Sequence, residues 1–203
     1  MSVPPQKGKS QTISGAAGVY FVAGELSRLG HVALTTTRNT KGIDLVVSDV
    51  SFQRTVSLQV KTNSRKYDFW IVGKPKPIGE NIFYVFVNLL DDKARPEYYI
   101  VPSKEVFERY QAMQNCKNYE SLTDQDKEGV AGLIKAGKTA WGIVEELRIK
   151  VDAVRKIAKE YGYPIKYDRG KGEDFPCSFY IRKSEESKYK DQWTLLRLNV
   201  GHN

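Results

Sequence analysis

The chain has 203 residues, 40% of them hydrophobic and 28% charged, with 32 Lys and Arg against 24 Asp and Glu and a formal net charge of +8. That length builds one domain with a modest addition, and the positive balance favours a polyanionic partner. No run approaches the ~20 apolar residues of a membrane span, and two cysteines and two histidines suit neither a disulfide framework nor a zinc cluster, so the expectation is a cytoplasmic protein with no membrane partner.

The first dozen residues, MSVPPQKGKSQT, read as a basic arm. GAAGVYFVAGELSRLG, residues 15–30, reads as a helix with Val19, Val22, Leu26 and Leu29 as its buried stripe. Glu25 falls at the edge of that stripe, where it either reaches a site at the end of a sheet or pairs with Arg28 at i+3. A strand follows from His31 to Thr36, then the loop TTTRNTKG, in which Arg38 and Lys41 are candidate phosphate contacts.

Residues 43–61, IDLVVSDVSFQRTVSLQVK, read as two strands, the first opening on Asp44 and the second closing on Gln59, Val60 and Lys61. Strand alternation puts Gln59 and Lys61 on one face and turns Leu58 and Val60 into the core. A carboxylate and an amide oxygen can hold a hard divalent cation, and a lysine beside them can orient a water or steady charge on a phosphate oxygen. The plainer reading is an aspartate cap and a half-solvated strand.

Residues 81–90 and 97–102 read as further strands, followed by a helix capped by Ser103 with Val106, Phe107 and Tyr110 on one face. The polar stretch 114–127 reads as a linker. A helix from Asp126 to Ala136, stopped by Gly137, is followed over 139–162 by two more: Ile143, Val144 and Leu147 line one, Arg148 to Lys150 turn the chain, and Val151, Val154 and Ile157 line the other. This is the pattern of a trihelical helix-turn-helix. Its outward residues Lys150, Asp152, Arg155, Lys156 and Lys159 would meet DNA, and residues 148–171 carry eight basic against three acidic side chains. A helical protein-protein module with solvated charges is the alternative. Residues 163–174 read as a connector or a basic wing.

The order helix, strand, strand with Asp44, strand with Gln59-Val60-Lys61, then further strands resembles the PD-(D/E)XK, or restriction-endonuclease-like, nuclease superfamily in its Gln-x-Lys form, over about the first half of the chain. The resemblance implies an α/β fold with a central mixed sheet flanked by helices. It makes Asp44 the principal metal ligand, Gln59 a neutral second, the Val60 carbonyl a third, and Lys61 the motif lysine. Magnesium is the implied ion, with manganese as substitute. Many members carry a glutamate in the first helix where this chain has Val19. KDQWTLLRL, 190–198, resembles the family's closing segment, so the expected organisation is an arm at 1–12, a nuclease-like core at 13–115, the helical insertion at 122–172 and core again at 175–203. Three functions follow: a metal-dependent restriction- or homing-type endonuclease on double-stranded DNA, a decayed nuclease fold acting as a DNA-binding regulator, or a structure-selective junction or repair nuclease. Double-strand cutting by one site per chain would call for a homodimer.

Overall fold

The run NIFYVFVNLL has no polar alternation because its strand is covered on both faces. The structure, a computed structural model, describes residues 11–36, 42–75, 79–90, 94–166 and 178–199. The chain forms two compact units, Met1–Phe107 with Cys177–Asn203, and Glu108–Pro176.

In the first unit, helix α1 (Gln11–Arg28) precedes strands β1 (Val32–Thr35), β2 (Leu45–Ser48), β3 (Thr55–Asn63), β4 (Phe69–Ile71), β5 (Ile82–Asn88) and β6 (Glu97–Pro102), and helix α2 starts at Ser103 and runs to Gln114. Five strands form a mixed sheet in the order β1-β2-β3-β5-β6. Only β3 and β5 are parallel, with Gln59 opposite Tyr84 and Lys61 opposite Phe86. One sheet face packs Leu45, Val47, Val56, Leu58, Val60, Val85 and Ile100 against Val22 and Leu26 of α1. The opposite face carries Trp70, Tyr84, Phe86, Tyr99 and Val101 with Val106 of α2. Gln11 and Thr12, expected in the arm, are already helical, and the remainder of the arm lies outside the described residues. Ser103 does not cap α2; its hydroxyl donates to the Gly79 carbonyl and accepts from the Gly79 N–H.

The buried stripe of α1 differs from the expected one. Ser14, Gly18, Val22, Glu25 and Leu26 are buried, while Val19 is only partly buried. The reason is a close approach: a Cβ on Gly18 would run into the Oγ1, Cγ2 and Cβ atoms of Thr62 on β3. Gly18→Ala is therefore expected to destabilise by ~1–3 kcal/mol through overpacking, against the ~1 kcal/mol that alanine normally gains over glycine in a helix. Gly24→Ala, where a Cβ meets open space, should show that gain. Denaturant midpoints of the two variants moving in the same direction would contradict the packing.

The chain re-enters the first unit through β7 (Ser178–Tyr180), which pairs with β4, followed by the short helix α6 (Glu186–Tyr189). Leu196 then packs into the α1-side core, and Trp193 lies 5.4 Å from the Tyr98 ring.

The second unit contains α3 (Asp124–Lys135), α4 (Ala140–Leu147) and α5 (Val151–Tyr161). A capping box between Thr123 and Asp126 starts α3, the Thr139 side chain caps α4, and Gly162 at φ +67° ends α5. Val130, Ile134, Ile143, Ile149, Val154 and Ile157 make the core. Two expectations are corrected. Leu147 is 37% exposed, and Ile149, within the turn, takes the buried place. The stretch read as a linker is folded: Leu122 is buried, Tyr119–Ser121 forms a 3-10 turn, and Lys117 bridges to Ile149. Tyr163 and Ile165 pack on the helices, and residues 167–177 lie outside the described residues.

Candidate active site and nucleic-acid surface

The site is set by an irregularity at the start of β2. Leu45 stands opposite Leu58, yet Asp44 also donates its N–H to the Leu58 carbonyl at 2.8 Å, so two residues oppose one as in a β-bulge. Gly42, at φ +82°, turns the chain into this position, and Thr36 fixes it by donating its N–H to the Asp44 carbonyl and its hydroxyl to the Ile43 carbonyl. The bulge lets the Asp44 side chain take the place of a backbone carbonyl: its Oδ2 accepts the Val60 N–H at 2.7 Å.

Gln59 and Lys61 lie on the face of β3 shared with Tyr84 and Phe86, their register partners. Both are half-buried. Burial pushes the Lys61 ammonium below the ordinary lysine value, and the Asp44 carboxylate opposes that shift. No ion pair joins Asp44 to Lys61 among the described side chains, so the carboxylate acts on the ammonium through space, with Gln59 one strand repeat from Lys61. An N–H and a carbonyl of one strand residue leave the same edge, so the Val60 carbonyl faces the side on which Asp44 binds its N–H. These donors fit a hard cation because all are oxygens, but they bring one negative charge. Among the described residues no group of three or more His, Cys, Asp or Glu side chains could hold a metal ion.

Glu25 is not brought to this group. It lies seven residues beyond Gly18, about 10 Å along the helix. Its Oε1 accepts from Arg28 at 2.6 Å and Arg95 at 2.5 Å. The Arg28 hydrogen bond and the charge of Arg95 hold its carboxyl below the ordinary glutamate value, with burial opposing. Because the folded-state value is lowered, the stabilisation is present above the unfolded-state value of ~4.3 and is lost as pH falls through the folded one. Glu25→Gln should therefore flatten the acid limb of the stability profile; an unchanged limb would show that the ion pairs contribute nothing.

Two side chains escaped the sequence reading. Asn63 continues the Gln59-Lys61 alternation and donates to Asn88 Oδ1 at 3.2 Å and to the Phe69 carbonyl at 2.8 Å. Buried Asn88 binds both the N–H and the carbonyl of Tyr67, which fixes the β3–β4 loop. Extending the period of two by one residue would have found Asn63. Asn88 is buried inside an apolar run and gave no signal. Glu97 holds Lys66 and Lys190, each at 2.8 Å, so Lys66 is ion-paired.

Arg38 and Lys41 lie outside the described residues. On α5, Lys150, Asp152, Lys156 and Lys159 are exposed and Arg155 is half-buried. Arg155 pairs with Asp152 at 3.4 Å, and the Lys156 ammonium sits 3.7 Å from the Tyr119 ring centroid and 3.7 Å from Glu120. No helix among the described residues is long and apolar enough to cross a membrane.

No protein-family model matches the chain, and neither does any curated protein. Among solved structures, a bacterial homing endonuclease, I-Ssp6803I, is similar over 49% of this chain and 69% of its own, with 17% identity and a TM-score of 0.37. A likeness that slight carries no functional argument.

Proposed function

We propose that the protein is a divalent-metal-dependent DNA endonuclease of the PD-(D/E)XK type in its Gln-x-Lys form, with the three-helix unit acting as a helix-turn-helix that holds double-stranded DNA. The observation that carries this reading is the seating of Asp44 on the Val60 N–H beside Lys61. Asp44, Gln59 and the Val60 carbonyl would hold magnesium or manganese, which supplies positive charge to polarise the scissile phosphate. The half-buried Lys61 orients the attacking water and steadies charge on the phosphate oxygens. The Asp44 carboxylate opposes the lowering that burial imposes on the Lys61 ammonium. Asn63 and Asn88 hold the adjoining loop.

The test is supercoiled plasmid incubated with the purified chain and magnesium, manganese or chelator. Nicked or linear product in either metal and none in chelator is expected. A chain that binds duplex DNA but cuts neither plasmid nor genomic DNA would turn the assignment to the second reading, a nuclease fold kept for DNA binding. That reading is favoured by Val19 packing against the core and by the capture of Glu25 between two arginines, which leave α1 with no acid at the site.

A further inference from the structure

The cations of the second unit are not equally available. Lys127 pairs with Asp124, Lys138 with Glu146, Arg155 with Asp152, and Lys156 with Glu120. The outward face of α5 thus spends much of its charge internally. The turn between α4 and α5 does the opposite. Lys117 donates its N–H to the Arg148 carbonyl at 2.8 Å, and its own carbonyl accepts the Lys150 N–H at 2.8 Å. This short parallel bridge, with Ile149 buried behind it, sets the backbones of three cationic residues side by side.

All three are exposed. Among the described side chains Arg148 and Lys150 show no ion pair, while Lys117 pairs with Asp126 at 3.6 Å. Burial pushes the Cys116 thiol up, and the charges of Arg148 and Lys150 both oppose that rise. Arg148 also holds a left-handed backbone, φ 53° and ψ 47°, a conformation that disfavours side chains with a Cβ. Like charges gathered on a strained turn are costly in isolation, and an anion seated among them offsets that cost.

We propose that Lys117, Arg148 and Lys150 form an anion seat for the phosphodiester backbone of duplex DNA, and that this seat, more than the outward face of α5, anchors the unit electrostatically. It rests on the DNA-binding part of the function proposed above and adds Lys117 and Arg148 to the residues that would carry it. Phosphate contacts of this kind position the duplex without reading its sequence.

The experiment titrates binding of the full chain to several unrelated duplexes against salt, by fluorescence anisotropy. It compares wild type with Arg148→Gly, which removes the charge while relieving the backbone, combined with Lys117→Ala and Lys150→Ala. Each lost contact should lower the salt slope by about 0.9, so the triple variant should lose about 2–3 units of slope and bind at least about tenfold more weakly on every duplex. Arg155→Ala with Lys156→Ala should cost less. Lys117→Gln with Lys150→Gln, which leaves Arg148 in place, should lose about two units of slope and serves where the triple variant folds poorly. Inorganic phosphate at matched ionic strength should leave duplex affinity unchanged; displacement would identify a free-phosphate site and overturn the duplex assignment. A triple variant with wild-type slope and affinity, or a larger cost from the Arg155 and Lys156 pair, would overturn the seat alone. Absence of salt-dependent duplex binding by wild type would overturn the DNA-binding reading as well.

Discussion

Asp44→Asn and Lys61→Met are each expected to lower metal-dependent plasmid cleavage by about 10²–10³-fold, the scale on which loss of one charge-stabilising group acts at a reacting centre. The substitutions are chosen for what they retain. An asparagine at 44 can still accept the Val60 N–H, so the bulge and the register of β2 on β3 persist while the negative charge goes. A methionine at 61 keeps the aliphatic stem on the sheet face and removes the ammonium. Asp44→Ala removes charge and acceptor together and should additionally reduce stability, because a buried N–H is left unsatisfied. Initial nicking rates normalised to folded protein by circular dichroism separate these effects. Wild-type rates in Asp44→Asn and Lys61→Met would remove both residues from the chemistry and leave the fold as a binding scaffold.

The two readings of the site differ in what they ask of Gln59. A site with one carboxylate and one amide binds a hard cation weakly, since affinity falls with ligand charge. The substrate phosphate can supply the missing negative charge in a nuclease, which would make metal and DNA bind together.

The alternation of Gln59 and Lys61 was legible in the sequence because period two is a strong local signal. Gln59 and Lys61 alternate with buried Leu58 and Val60 as expected of a strand covered on one face by α1. The bulge at Asp44 was not legible, since it depends on the Leu58 carbonyl serving two residues. The stripe of α1 was misread by one helical position, because hydrophobicity points to Val19 whereas the closest approach of helix and strand needs the small Gly18 against Thr62. The i+3 pairing of Glu25 with Arg28 was legible; its burial was not, because shifting the stripe toward Gly18 moves the carboxylate from the edge into the interface, where its two paired arginines make it tolerable. In the second unit, apolar spacing located α4, the turn and α5, but the bridge from Lys117 is long-range and leaves no trace in spacing.

Trp70→Ala should cost ~3–5 kcal/mol of stability in the first unit, the range for truncating a large buried aromatic. Trp70 is 1% exposed, donates its Nε1–H to the Val87 carbonyl at 3.0 Å, and lies 5.1 Å from the Phe86 ring and 5.3 Å from the Tyr99 ring. Its loss opens a cavity and strands a buried carbonyl. Phe86, in turn, stands in register with Lys61 and stacks at 4.8 Å on Phe179 of the returning C-terminal segment. The cavity therefore lies against β5, the strand beside the one that carries Lys61, where small displacements cost rate steeply. Cleavage per folded molecule should drop on the order of tenfold, and Trp70→Phe, which refills most of the volume, should recover most of both losses. Urea denaturation and nicking rates on the same preparations provide the measurement. A stability loss below ~1 kcal/mol would mean that Trp70 is not packed as placed. A full stability loss with unchanged specific activity would mean that the aromatic layer supports the sheet without positioning Lys61.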